Sequence, residues 1–240
     1  MAGESVLYKD GETLLEGYLA HAGNPDAPMV LVFHQWMGIT DHEKERAERL
    51  AQEGYNAFAI DMFGKGVRPE NVAVAAKTSG IYKNDLKLAR RRFDGALGCI
   101  RGLSGMDLTR LGAIGFCFGG TMALELARTG LPELKAVVSF HGLLTTPQPV
   151  KKPGTIKAAI NIQHGADDPL ESRAEIEAFK QEMNAAGADW SFTEYAYAVH
   201  AFTQKGAGDD PSTGAAYNEK ADKRSWRAMI DFFRETLGTP

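Results

Sequence analysis

The chain has 240 residues, 44% of them apolar and 24% charged, the balance of an ordinary globular protein and not of a disordered or collagen-like one. A net charge of -4 offers no basic excess to a phosphate backbone, so no nucleic-acid partner is expected. Two cysteines, Cys99 and Cys117, are too few for a disulfide framework or a four-sulfur zinc site. No run of 18 apolar residues is present and Glu4, Lys9, Asp10 and Glu12 interrupt the N-terminus, so no membrane span or secretion signal is read and a cytoplasmic location is expected.

Val6–Tyr8 and Leu14–Leu19 read as two strands joined around Asp10-Gly11. Met29–Phe33 is a continuous apolar run, as a strand buried on both faces requires. Residues 41–52 have the period of a helix that Asp41 can cap, and 56–60 form the next strand. Residues 61–80, punctuated by Gly64, Gly66, Pro69 and Gly80, read as a long irregular loop over the site. A strong amphipathic helix follows over 85–101. Its run Arg90-Arg91-Arg92 reads as a solvated face.

Strands are then expected over 108–116, 136–140, 158–162 and 190–197, and helices over 119–129, 169–186 and 221–237. Strands alternating with crossover helices mean an α/β fold with a mostly parallel twisted sheet and helices on both faces. Nothing marks a boundary within the chain, so one domain over 1–240 is expected.

The segment Gly115-Phe116-Cys117-Phe118-Gly119 carries the chemistry. A strand runs into Cys117 and a helix starts just after it, which is the context of a nucleophile elbow. The glycines two residues either side suit a turn in which those backbones approach closely. The helix start favours thiolate at the sulfur.

A thiol nucleophile is activated by a histidine that a carboxylate orients. Of the histidines after Cys117, only His200 follows candidate acids and lies in a loop after a strand. Between Asp167 and Asp168, the second precedes Pro169 and stands three residues before Glu171, a pattern that reads as a helix cap. Asp167 is therefore the preferred partner of His200. No metal-protease, phosphate-loop or dinucleotide motif occurs, so neither metal nor cofactor is expected.

Together the Gly115–Gly120 elbow, Gly165-Ala166-Asp167, His200-Ala201-Phe202 and the loop Phe33–Gly38 resemble the dienelactone hydrolase family of the α/β-hydrolase fold. The resemblance implies a triad of Cys117, Asp167 and His200 and an oxyanion hole made by the N–H groups of Trp36 and Phe118. It implies a glutamate where this chain has Gln35, and substrate-carboxylate arginines where it has Gln204 and Lys65. The expected function is a cysteine-dependent hydrolase of small carboxylic esters or lactones, not specific for dienelactone. Other activated esters such as phosphotriesters are an alternative. A thiol redox sensor using Cys117 with Cys99 as its resolving partner, or a non-catalytic binding domain, is a further one. Gln35, Phe63, Lys65, Tyr82 and His141 are expected to line the substrate pocket.

Overall fold

The computed structural model describes residues 3–24, 26–103 and 106–240. Its frame is one eight-stranded sheet. The hairpin of β1 (Glu4–Asp10) and β2 (Thr13–Ala20) opens it, turning through Gly11 at φ 55°. β3 (Pro28–Phe33), β4 (Asn56–Ile60), β5 (Asp107–Phe116), β6 (Leu134–Phe140), β7 (Ala159–Gly165) and β8 (Trp190–Tyr195) follow. The spatial order is β1-β2-β4-β3-β5-β6-β7-β8. β2 is antiparallel to both its neighbours, and every other pairing is parallel.

The apolar runs of the central strands feed two cores. Met29, Leu31 and Phe33 face one, and Val30 and Val32 the other, because successive side chains of a strand point to opposite faces. The first core is closed by α3 (Leu86–Arg101), α4 (Phe118–Arg128) and α5 (Arg173–Ala186). The second is closed by α1 (Asp41–Gln52) and α6 (Glu219–Thr236). From α6, Trp226, Met229, Ile230 and Phe233 are all buried, each worth about 1.5–3 kcal/mol relative to exposure.

The structure corrects four local readings. α1 is capped by Thr40, not Asp41, in a reciprocal box with Glu43. The segment 61–80 is not irregular throughout, because α2 (Val72–Asn84) starts inside it, capped by Asn71. Only Ala75, Ser79 and Tyr82 of α2 are buried, so its apolar stripe is faint, and Gly80 sits where nothing crowds it. α5 begins at Arg173 under a Ser172–Glu175 capping box, not at Pro169. Arg92 is not solvated: it is buried, ion-paired with Asp10, and donates to the Met62 carbonyl.

Candidate active site

β5 ends at Phe116, α4 begins at Phe118, and Cys117 between them sits at φ 55°, ψ -119°. A side chain rarely tolerates such a backbone, and it persists only where the surroundings impose it. A Cβ on Gly115 would lie 2.0 Å from the Gly119 carbonyl oxygen, and one on Gly119 would lie 2.2 Å from that of Phe33. The turn therefore closes only with glycine at both places. Gly119→Ala is expected to cost about 3 kcal/mol or more, read as a lower urea midpoint at unchanged slope; a stability within error of the parent would show that the elbow relaxes freely.

His200 reaches the sulfur from the loop after β8. Its backbone N–H donates to the Gly214 carbonyl, which anchors the loop. Its Nε2 lies 3.1 Å from Cys117 Sγ and its Nδ1 2.8 Å from Asp168 Oδ2. With a carboxylate at Nδ1, the ring proton sits there and Nε2 faces the thiol. Burial alone disfavours the imidazolium, but the hydrogen bonds to Asp168 and to the sulfur outweigh it and push the ring up to about 10. The geometry suits an ion pair of thiolate and imidazolium.

The partner of His200 is thus Asp168, which corrects the expectation of Asp167. Asp167 is exposed, and no hydrogen bond joins it to His200. Asp168 is buried and uses its other oxygen to hold the Leu170 N–H at 2.9 Å. The cap signal at Asp168-Pro169 belongs to no helix, since the Ser172 box starts α5. That box was present in the sequence and, weighed against the proline, would have freed Asp168 for His200.

Trp36 and Phe118 both line a cavity of about 940 Å³ above the sulfur. Neither of their backbone N–H groups has an acceptor among the described residues. Gln35 lines the same cavity, its Oε1 accepting from the Met37 N–H at 3.1 Å and its own N–H donating to Glu43. Gln204 lines it too.

The other expected pocket residues lie elsewhere. Phe63 and Tyr82 are buried behind Phe118, with ring centroids 5.6 and 6.3 Å from it. Lys65 is exposed and does not line the cavity. His141 lies under the elbow, 1% exposed. The Cys117 N–H donates to the Phe140 carbonyl at 3.0 Å and to His141 Nδ1 at 3.1 Å. An acceptor at Nδ1 puts the His141 proton on Nε2, which meets Thr203 Oγ1 at 2.8 Å. Burial, then the neighbouring His200 and His42, hold this ring well below the usual histidine range.

The cavity wall that motif reading missed comes from distant segments. His42, Arg46 and Arg49 arrive on α1, Val72 and Lys83 on α2, Leu170 on a loop and Lys205 on a single 3-10 turn. Arg46 is ion-paired with Asp222 at 2.9 Å and donates to the Thr203 carbonyl at 2.8 Å. Through it α1 and α6 brace the His200 loop. No short-range pattern announces contacts across more than 150 residues.

The model of the dienelactone hydrolase family matches residues 15–237. The structure of a dienelactone hydrolase-like promiscuous phosphotriesterase from metagenomic libraries superposes with a TM-score of 0.90 and 39% identity, over 98% of each chain. A putative carboxymethylenebutenolidase of Escherichia coli is 28% identical over 99% of this chain and 88% of its own. An uncharacterized protein of Caenorhabditis elegans is 37% identical over 61% of this chain and 92% of its own.

Proposed function

The chain belongs to the dienelactone hydrolase family and is an ester hydrolase of the α/β-hydrolase fold, and we propose that it cleaves small carboxylic esters and lactones through Cys117, with His200 and Asp168 as base and orienting acid. The observation that carries this reading is the continuous chain Sγ–Nε2 at 3.1 Å and Nδ1–Oδ2 at 2.8 Å, at a strained elbow beneath a large cavity.

In this reading the thiolate attacks the ester carbonyl carbon. The N–H groups of Trp36 and Phe118 face the oxyanion as its charge develops. The C–O bond breaks, the leaving oxygen takes its proton from the His200 imidazolium, and a thioester remains on Cys117. Neutral His200 then removes a proton from water, the resulting attack splits the thioester, and the thiolate and acid product are released. Dienelactone itself is not the preferred substrate in this reading, because Lys65 does not line the cavity and Gln204 cannot grip a carboxylate in the bidentate manner of arginine.

The experiment is a stopped-flow assay with p-nitrophenyl acetate. A nitrophenolate burst, followed by steady turnover and abolished by iodoacetamide, is the expected result. Turnover that survives complete alkylation would overturn the cysteine mechanism. Peroxide-dependent thiol loss with no burst would favour a sensor, although burial pushes the Cys99 thiol up and makes it a poor resolving partner.

A second reading is favoured by the phosphotriesterase at 39% identity. The same thiolate can attack phosphorus in a phosphotriester and expel an aryloxide. Its signature is a burst with paraoxon whose rate falls with that of the acetate ester when His200 is replaced.

A further inference from the structure

A smaller cavity of about 340 Å³ adjoins the large one, and Lys83, Thr121 and Leu143 line both. Its polar wall is α4, where Thr121 and Glu125 stand four residues apart on one face. They are only 4% and 2% exposed. Thr121 Oγ1 and Glu125 Oε2 have no hydrogen-bond partner among the described residues. Buried polar atoms are normally satisfied, so two orphans on the wall of one cavity call for an occupant.

Glu125 cannot turn to satisfy itself. Its Oε1 is held by Arg128 Nη1 at 3.0 Å, and Arg128 is fixed in turn by Glu182 and by the Leu144 carbonyl. The free oxygen needs a donor, while a threonine hydroxyl can donate or accept. Arg128 already pairs the charge of Glu125, which favours a neutral donor over an ammonium. An alcohol hydroxyl, which both donates and accepts, has the chemistry that the two orphans need.

The helix sets the distance. At its rise per residue, Thr121 and Glu125 lie about 6 and 12 Å beyond Cys117 along the axis. That is the reach of an extended chain of roughly six to ten carbons. The half of the substrate concerned also follows from the geometry. The leaving oxygen takes its proton from His200, so the alcohol half departs on that side. No residue of the His200 loop lines the smaller cavity. We propose that this annex is an acyl subsite, and that the chain takes esters whose medium-length acyl group ends in a neutral hydroxyl. The proposal rests on the ester-hydrolase reading above.

The test compares p-nitrophenyl octanoate with p-nitrophenyl 8-hydroxyoctanoate, which share one leaving group. A hydroxyl normally penalises entry to an apolar cavity, so a preference for the hydroxylated ester is informative. The parent enzyme is expected to favour it about tenfold in kcat/KM, mostly through KM. Thr121→Val, which keeps the shape and removes the hydroxyl, should bring that ratio towards one, and so should Glu125→Ala. A parent ratio at or below one, with p-nitrophenyl acetate still turned over, overturns the annex and leaves the ester reading intact. A parent enzyme that turns over none of the three esters overturns both. If either variant fails to fold, the parent ratio alone decides.

Discussion

Cys117→Ala is expected to lower kcat for aryl esters by about five to six orders of magnitude, with His200→Ala close behind it. The reason is geometric. Nε2 and Sγ are in contact at 3.1 Å and each is useless to the reaction without the other. The double variant should therefore be little slower than either single one, because removing the second member of a unit removes nothing that still works. Circular dichroism should show all three folded, since neither side chain fills the core of the sheet. Residual activity in all three, owed to the oxyanion donors and binding alone, is consistent with this account. If the two single losses multiplied in the double variant, Cys117 and His200 would be acting independently and the triad reading would fail.

The acid gives the second large effect. Asp168→Asn should cut kcat by about 10⁴-fold, because an amide at Oδ2 no longer fixes the proton on Nδ1 and the ring can present the wrong nitrogen to the sulfur. Asp167→Ala should stay within about twofold of the parent, since that side chain is exposed and has no bond to His200. The ring itself reports the same interaction. In the parent, an NMR titration of His200 should show proton loss near 10. Asp168 is one of the groups that raise it, so in Asp168→Asn the titration must move to lower pH. The alternative is equally concrete: activity lost in Asp167→Ala and kept in Asp168→Asn would mean that the loop rearranges on binding substrate.

What the sequence made legible was whatever has a local cause. The alternating strands and helices follow from hydrophobic period, and the elbow follows from two glycines that no other residue can replace. His200 was found by its order after Cys117 and by its loop. Asp168 was misread because its proline and the following glutamate imitate a cap, while the true cap, Ser172, lies four residues on. α2 was hidden because its buried stripe is only Ala75, Ser79 and Tyr82, too short and too polar to stand out as a hydrophobic period. Arg92 was read as solvated because one sequence shows a charge but not Asp10, its partner 82 residues away. The cavity wall was out of reach for the same reason, as α1, α2 and the His200 loop meet only in the folded chain. Phe63, Tyr82 and His141 were assigned to the right end of the sheet but to the wrong depth.

All eleven residues of α4, the helix that starts at the nucleophile, are buried. An ordinary helix of such a sheet shows solvent one side on which substitutions accumulate freely; α4 has none. A library randomised along α4 should return mostly insoluble protein, whatever its effect on chemistry. Val72 and Leu170 border the same cavity and are 64% and 54% exposed, so libraries there should be tolerated. Broad changes of substrate range in this chain are accordingly expected from the rim, while the helix behind the sulfur is expected to accept only shape-conserving changes such as Thr121→Val.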